Sequence, residues 1–459
     1  MHAFSATPRS SGTYAASVFV RSIRIDGVKG FGADATAVNL GLARPDGSYP
    51  GWTVVAGRNG SGKTSFLRAL ALAVAGVVPS RLLLEQNAGW VGADLPRARA
   101  AAELTYGEVD TLTTGGRAPG DTFWAGLEWT ALDSGATQVA EWIPRGPKLT
   151  ARRGPWAENL KGWLMVGYGP FRRVTGAGGD AQRLMSDRFF PGRLVSLFRE
   201  DASLIEATLW LRELDYRSRD NAAGVAELVG DVLRLLSDDL LPDGAKAVGV
   251  SPAGLHIERH GLELPLVDLS DGYRTVVALV LDIIRHIWLT YGALNLEVDN
   301  GTVVVPNEGV VLIDEVDAHL HVEWQQRIGF WLKRRFPSIQ FIVTSHSPFV
   351  CQAADEGGLI RLRRVGSRYT AEQVEDAVFR RVVNGGADQA VVSDLFGLDH
   401  PHSGESEMLR REISALEARA IRGQAADSDL KRLETLSAEL PSDDDAETDR
   451  VVRRLDALL

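Results

Sequence analysis

Residues 57–64, which read GRNGSGKT, have the composition and spacing of a phosphate-binding loop. Glycines allow the chain to curl so that backbone N–H groups point at phosphate oxygens, and a following helix adds its positive N-terminal end. Lys63 can then reach the β- and γ-phosphates of a nucleoside triphosphate, and the Thr64 hydroxyl can bind Mg²⁺. The predicted nucleotide contacts are Gly57, Asn59, Gly60, Gly62, Lys63, Thr64 and Ser65.

Two acidic residues follow a second apolar segment. Residues 309–313 suit a central strand of a parallel sheet that is covered on both faces. Asp314, at the carboxyl end of this strand, is predicted to hold Mg²⁺ through water. Glu315 is predicted to be the general base that polarises the attacking water. An ordinary strand that runs into an acidic turn is the structural alternative.

A histidine and a serine complete the candidate residues. His346 follows the apolar segment 339–345, at the end of a strand where α/β sheets bind ligands, and is predicted to contact the γ-phosphate. Ser270 and Gly272 precede a long apolar helix that we expect to start near Val276, so they form a second anion site. A structural histidine and a simple capped helix start are the alternatives.

The order of these four segments resembles that of the ABC-type ATPases. Phosphate loop, the Leu-Ser-x-Gly signature at residues 269–272, acidic pair and switch histidine follow one another as in that superfamily. The resemblance implies that Ser270 and Gly272 complete the ATP site of a second subunit, so that a homodimer holds two ATP molecules with Mg²⁺. The chain departs from the transporter form of the signature, because Asp271 and Tyr273 stand where that form has glycine and glutamine.

The region around Glu315 resembles the RecF-like and OLD-like branch of the superfamily. Residues 314–321 read DEVDAHLH, similar to the Asp-Glu-Pro-Glu-x-His-Leu-His stretch of those ATPases. Val316 replaces the proline of that stretch. His319 and His321 are interpreted as packing and dimer-contact residues, with a metal-binding pair as the alternative.

A narrower resemblance, over roughly residues 20–400, is to the stand-alone ATPases of bacterial phage-defence operons, particularly the Septu-type ATPase. Residues 167–173 (GYGPFRR), 197–201 (LFRED) and 269–275 (LSDGYRT) carry it, and residues 394–398 carry it more weakly. The resemblance implies a homodimeric ATPase that regulates a partner nuclease, which we suspect to be of the HNH type. Relatives have a glutamine that links Mg²⁺ to the helical lobe, and residues 168–173 occupy the comparable stretch without one.

The expected fold is an α/β P-loop NTPase with an ABC-ATPase head, in which a mixed, mainly parallel sheet adjoins an antiparallel β part. Residues 16–80 and 256–375 form the predicted head, 81–255 an inserted α/β lobe, 376–459 a helical C-terminal region, and 1–15 a disordered N-terminus. The lobe lacks sustained heptads, so no long coiled coil is expected. In the last region, 405–422 and 427–440 are predicted to pair as amphipathic helices.

Composition limits the compartment and the partners. The 459 residues are enough for two to three structural units, and a net charge of −10 argues against a protein that coats nucleic acid with its whole surface. A local basic contact stays open, and we expect Arg172 and Arg173 to face the dimer cleft. A single cysteine, no signal peptide and no membrane-spanning segment favour a cytoplasmic protein without a membrane partner.

Three functions are compatible with the sequence. The first is an ATP-hydrolysing homodimer, or higher oligomer, that regulates a partner nuclease in phage defence. The second is a RecF-like DNA-repair ATPase, which should bind duplex DNA in a salt-sensitive manner without a partner. The third is a nucleotide-switched scaffold with negligible hydrolysis. No Asp-x-Asp stands at a strand end after His346, so we expect no nuclease within the chain itself.

Overall fold

A computed structural model describes residues 18–84, 89–113, 121–146, 150–157, 161–172, 174, 179–185, 190–220, 224–241, 244–366 and 368–440 of the chain. The chain divides into two compact units, the first ending at Phe396 and the second beginning at Gly397. The N-terminal segment predicted to be disordered, 1–15, lies outside the described residues, as does Arg173.

The first unit contains strands and helices, and the elements of the second unit among the described residues are helices. The strands are β1 (Val20–Asp26), β2 (Val38–Gly41), β3 (Trp52–Ala56), β4 (Arg97–Leu104), β5 (Phe123–Ala131), β6 (Thr137–Glu141), β7 (Met165–Tyr168), β8 (Lys246–Ser251), β9 (Gly254–Arg259), β10 (Leu262–Pro265), β11 (Glu297–Asp299), β12 (Thr302–Val304), β13 (Gly309–Ile313), β14 (Ile339–Ser345), β15 (Leu359–Val365) and β16 (Arg368–Gln373). The helices are α1 (Lys63–Ala75), α2 (Val77–Leu83), α3 (Thr150–Arg153), α4 (Gly179–Met185), α5 (Phe190–Phe198), α6 (Ile205–Arg219), α7 (Val225–Ser237), α8 (Asp271–Tyr291), α9 (Val322–Arg335), α10 (Pro348–Gln352), α11 (Asp376–Asn384), α12 (Ala387–Val391), α13 (Gly404–Ile421) and α14 (Asp427–Glu439).

A six-stranded sheet in the order β16-β15-β3-β14-β13-β7 forms the centre of the first unit. Its strands are parallel except β16, which pairs antiparallel with β15. β3, β13 and β14 are buried along their whole length, as expected for strands covered on both faces. Ser345 lies beside Ala56 and Ile313 beside Val343, so the segments that follow β3, β14 and β13 emerge together at one edge.

A second sheet, in the order β2-β1-β4-β5-β6, is antiparallel, and the α/β fold class with a mainly parallel sheet and an antiparallel β part is confirmed. Strands β4, β5 and β6 come from residues 81–255, the region predicted as an inserted lobe, and so does β7 of the central sheet. This region therefore contributes strands to both sheets. Hydrophobic alternation reveals a strand, but its pairing partner is set by contacts distant in sequence.

Helix α8 carries the Leu-Ser-x-Gly segment at its start. It begins at Asp271, earlier than the predicted start near Val276, because its first turn is polar and the buried apolar run begins only at Val276. With 21 residues it is the longest helix among the described residues, which is consistent with the expected lack of a long coiled coil. No helix in the described ranges is both long and apolar enough to cross a membrane.

The second unit contains the helices α13 and α14, which contact each other. Their bounds lie within one residue of the predicted helices 405–422 and 427–440. Leu416 of α13 and Leu436 of α14 are buried, whereas most other side chains of both helices are exposed or half-buried. The pair is thus held by a narrow apolar seam, as the amphipathic pattern predicts.

Candidate nucleotide-binding site

The loop between β3 and α1 has the backbone conformation that a phosphate-binding loop requires. Gly60 and Gly62 adopt φ angles of +73° and +90°, a region that side chains other than glycine rarely enter. A Cβ atom on Gly62 would also approach the Phe31 ring at 3.2 Å. Ser61 is buried, and its Oγ has no hydrogen-bond partner among the described residues. The loop therefore has a buried hydroxyl without a protein partner directly before a helix N-terminus, which is a place where anions bind.

Lys63 is the first residue of α1, and its side chain contacts this loop. Its side chain is buried, and Nζ donates to the carbonyl oxygens of Gly57 at 3.0 Å and Arg58 at 3.2 Å. Burial lowers the pKa of Lys63, while Glu315 and Asp314 raise it. The ammonium is therefore held within the reach of the acidic residues that follow β13.

Asp314 lies at the carboxyl end of β13 and is fully buried. Its backbone N–H donates to the carbonyl of Tyr168 at 2.8 Å, and its Oδ1 accepts a hydrogen bond from Thr344 Oγ1 at 2.6 Å. Its other oxygen, Oδ2, has no hydrogen-bond partner among the described residues. A buried carboxylate oxygen left without a partner fits a hard cation such as Mg²⁺, which prefers oxygen ligands.

Glu315 follows in a strained backbone conformation, with φ at +46°. Its N–H donates to Thr344 Oγ1 at 2.7 Å, so one hydroxyl orients both acidic residues. Burial raises the pKa of Glu315, and Asp314 adds to that rise. The carboxyl group of Glu315 is half-buried, and its role as a general base stays a prediction.

Sequence reasoning missed Thr344. The signal that could have identified it is its place in β14, two positions before the candidate histidine and next to the acidic strand. A hydroxyl at that point faces the neighbouring strand end, where a buried carboxylate requires a donor.

His346 follows β14, next to the acidic turn. Its backbone N–H donates to Asp317 Oδ2 at 3.4 Å, and the imidazole is half-buried. Burial and the nearby Lys63 ammonium lower the pKa of His346, which favours the neutral imidazole at pH 7. The structure thus brings His346 together with the loop lysine and the acidic turn at adjacent strand ends.

Ser270 and Gly272 occupy a different environment. Ser270 is exposed at the start of α8, where its side chain makes no capping hydrogen bond. Within the described ranges, no hydrogen bond or ion pair joins Ser270 to the phosphate-binding loop. Asp271 is highly exposed and pairs with Arg274, so its negative charge has a partner within the helix. These residues are not part of the cluster formed by Lys63, the acidic turn and His346.

Arg172 is not the surface contact that its sequence context suggests. The side chain is buried and donates to backbone carbonyls, including that of Asp314 at 3.0 Å. The prediction of an Arg172 side chain facing an open cleft is therefore wrong. The segment 169–170 turns the chain inward beside β13, so the arginine points at the acidic turn.

His319 and His321, the two histidines after the acidic residues, lie in different environments. His321 Nδ1 accepts a hydrogen bond from the N–H of Glu323 and caps α9, whereas His319 is exposed. Among the described residues, no cluster of three or more His, Cys, Asp or Glu side chains is arranged to hold a metal ion. The assignment of Thr64 and Asp314 as Mg²⁺ ligands stays a prediction, in which the phosphates of the nucleotide would supply further ligands.

Two models of known protein families match the segments of the chain that contain this site. A family model described as "AAA domain, putative AbiEii toxin, Type IV TA system" matches residues 180–352, which include α8, the acidic turn and His346. A second family model, described as "AAA domain", matches residues 22–95, which include the phosphate-binding loop.

Individual proteins give similar matches. The chain is 36% identical over 146 residues to "Retron Ec83 probable ATPase" of Escherichia coli, across 32% of this chain and 24% of that protein. It is 25% identical over 309 residues to "Septu protein PtuA" of Bacillus mycoides (strain KBAB4), across 67% of this chain and 35% of that protein. The matches thus span about a quarter to a third of these relatives' length. The solved SMC head bound to the C-winged helix domain of ScpA is 16% identical, with a TM-score of 0.47 over 78% of this chain and 99% of that one.

Proposed function

We propose that this chain, an ABC-type P-loop ATPase similar to the Septu and retron ATPases of phage defence, binds ATP with Mg²⁺, hydrolyses it and thereby regulates a partner nuclease. The observation that carries the proposal is the meeting of Lys63, Asp314, Glu315 and His346 at the carboxyl ends of adjacent strands. In parallel α/β sheets this edge is where ligands bind. The choice of partner rests on the similarity to the defence ATPases.

The loop residues have the role of holding the phosphates. Gly57, Asn59, Gly60, Gly62 and Ser65 present backbone and side-chain groups at the start of α1, and the helix end adds positive potential. Lys63 exchanges its bonds with the loop carbonyls for bonds with phosphate oxygens. Because the ammonium is already desolvated by burial, its interaction with the phosphates is stronger than it would be in water.

The acidic turn supplies the chemistry of hydrolysis. Thr64 and Asp314 would hold Mg²⁺, which neutralises the charge that develops on the phosphates. Glu315 orients the attacking water and accepts its proton, and His346 donates to the γ-phosphate. The bond between water oxygen and the γ-phosphorus forms as the bond to the β–γ bridging oxygen breaks, giving ADP and inorganic phosphate.

We further propose that the site is completed by a second copy of the chain. Ser270 and the Gly272 backbone lie at the N-terminus of the 21-residue helix α8, which is suited to bind a phosphate. The exposure of Ser270, and the pairing of Asp271 with Arg274, leave that helix end open to an anion from a partner subunit. The homodimer would then close over two nucleotides.

The regulatory part of the proposal is tested by purification of Glu315→Gln from the native host with ATP and Mg²⁺, followed by mass spectrometry. Lys63→Ala, purified in parallel, is the matched control because it should not reach the ATP-bound state. A stoichiometric small nuclease that accompanies Glu315→Gln only is the expected result. Recovery of the ATPase with DNA and no nuclease would favour a repair ATPase instead.

A further inference from the structure

Arg172 makes more hydrogen bonds to the acidic turn than sequence reasoning anticipates. The residue is 3% exposed, and its Nη1 donates to the carbonyl oxygens of Gly169 at 2.9 Å and Asp314 at 3.0 Å. The first of these bonds closes the short turn that leads to Arg172, and the second reaches the end of β13. One nitrogen therefore joins the 169–172 segment to the residue proposed to hold Mg²⁺.

The second terminal nitrogen extends along the turn. Arg172 Nη2 lies within hydrogen-bond distance of the carbonyl oxygens of Glu315 at 3.1 Å, Val316 at 3.2 Å and Ala318 at 3.3 Å. The guanidinium thus contacts four carbonyl groups of the turn between β13 and α9, all within residues 314–318. These carbonyl groups point inward, where buried acceptors require donors.

The conformation of this turn needs such support. Glu315 has a φ angle of +46°, and a non-glycine residue in the left-handed region is strained. Such a conformation persists only where the surrounding contacts fix it. Thr344 fixes the N–H of Glu315, and Arg172 fixes its carbonyl oxygen.

We infer that Arg172 is a positioning residue that holds the Glu315 carboxylate in line for water activation; this inference rests on the hydrolytic function proposed above. The distinction from a catalytic residue is that its guanidinium contacts backbone carbonyl groups of the turn. Its effect on hydrolysis is transmitted through the place and angle of Glu315.

Arginine is suited to this role for geometric and electrostatic reasons. Its planar guanidinium carries five donors in a fixed fork, whereas lysine has a single ammonium that cannot span several carbonyl groups. Burial lowers the pKa of Arg172 to about 10, and the neighbouring carboxylates of Asp317 and Asp314 oppose that fall. The group stays charged at neutral pH, and its hydrogen bonds offset the cost of burying that charge.

The other end of the same segment is fixed to the helix that bears the signature. Tyr168 is buried, and its hydroxyl donates to Asp282 Oδ2 of α8 at 3.0 Å. Asp282 is also paired with Arg285 at 3.2 Å. Residues 168–172 therefore connect α8 to the acidic turn, in the stretch where no linking glutamine is evident from the sequence.

The test compares Arg172→Lys and Arg172→Met with the full-length wild type in steady-state ATP hydrolysis and in binding of a fluorescent ATP analogue. We expect kcat to fall by about 100-fold in both variants, since a displacement of about 1 Å can cost that much. The dissociation constant of the analogue should change less than threefold. In a Glu315→Gln background, Arg172→Met should lower the residual rate no further, because the residue that it positions is already inactive.

Arg335→Met is the matched control. Arg335 is also buried, and it donates to the carbonyl oxygens of Asp238 at 2.8 Å and Val303 at 3.4 Å, at the opposite end of the strands from the site. We expect this variant to unfold more easily and to keep the wild-type kcat. The comparison separates the loss of a buried guanidinium from the loss of its action on the turn.

Three results would overturn the inference. Normal kcat in folded Arg172→Met would remove the positioning role, as would equal losses of kcat in Arg172→Met and Arg335→Met. A further large loss in the Glu315→Gln background would show that Arg172 acts independently of Glu315. If the wild type shows no hydrolysis that depends on Glu315, the proposed function fails and this inference fails with it.

Discussion

The acidic turn after β13 and the start of α8 are both proposed to face ATP, yet they differ in how far the chain itself completes them. Asp314 is fully buried, and Thr344 and Arg172 fix the backbone around it. Ser270 is exposed, and its side chain makes no capping hydrogen bond. The contacts that fix Asp314 are thus made within one chain, whereas the side chain of Ser270 is left open to solvent.

Substitution of Lys63 should have the largest effect, because it removes the positive charge that is proposed to bind the phosphates of ATP. We expect Lys63→Ala to weaken ATP binding by about 100-fold or more, since charge-assisted bonds to phosphate are strong and buried here. Equilibrium binding of a fluorescent ATP analogue measures this. The exposed Lys246 supplies the control Lys246→Ala, and equal affinities of the two variants would contradict the loop assignment.

Substitution of Ser270 tests the proposed anion site at the start of α8. Ser270→Arg should leave binding of ATP to the monomer unchanged, because no hydrogen bond or ion pair within the described ranges joins Ser270 to the phosphate-binding loop. The variant should abolish ATP-dependent dimerisation by filling the anion site. Light scattering coupled to size-exclusion chromatography measures the mass with and without ATP. Ser134→Arg, at an exposed serine between β5 and β6, is the control. A dimer of Ser270→Arg that hydrolyses ATP normally would remove the proposed contribution from the second subunit.

Substitution of Thr344 tests how strongly the acidic turn after β13 depends on the Thr344 hydroxyl. Thr344→Val keeps the shape but removes the bonds to Asp314 Oδ1 and the Glu315 N–H. We expect kcat to fall about 10- to 100-fold, the usual cost of losing a group that orients metal or catalytic ligands. Thr344→Ser should restore most of the rate. Equal rates in the valine and serine variants would show that the hydroxyl has no such role.

Substitution of Tyr168 should have the smallest effect. Tyr168→Phe removes one hydrogen bond to Asp282, which keeps its ion pair with Arg285. The free energy of unfolding should fall by about 1 kcal/mol, the net contribution of a typical hydrogen bond. Urea denaturation measures the change, and Tyr291→Phe, which loses a 2.8 Å bond to the Glu308 carbonyl, is the control. If the rate of ATP hydrolysis falls by more than the loss of stability accounts for, Tyr168 couples α8 to the site.

Local sequence patterns predicted the elements that hold the site. The loop 57–64 and the buried strands before Asp314 and His346 were evident from composition and spacing. They could be recognised because each is a short segment in which residue type and position determine the chemistry. The site roles themselves stay predictions until the variants are measured.

Contacts between distant segments could not be predicted in the same way. No local pattern indicated that the Thr344 hydroxyl would contact Asp314 and Glu315, which follow another strand. Arg172 resembled a surface arginine after a Gly-Pro turn. The pairing of β4 with β1 and of β7 with β13 was also not predictable from local patterns. In each case the deciding interaction joins residues that are adjacent only after the sheets have formed.

We propose that Glu315 activates water for ATP hydrolysis in a homodimer closed by nucleotide. ATP turnover and sedimentation of the wild type and of Glu315→Gln, each measured with ATP and Mg²⁺, test this proposal. We expect Glu315→Gln to lose about 100- to 10,000-fold in turnover, the usual contribution of a general base, and to accumulate as an ATP-bound dimer. Unchanged turnover, or a monomer that holds ATP without dimerising, would contradict it.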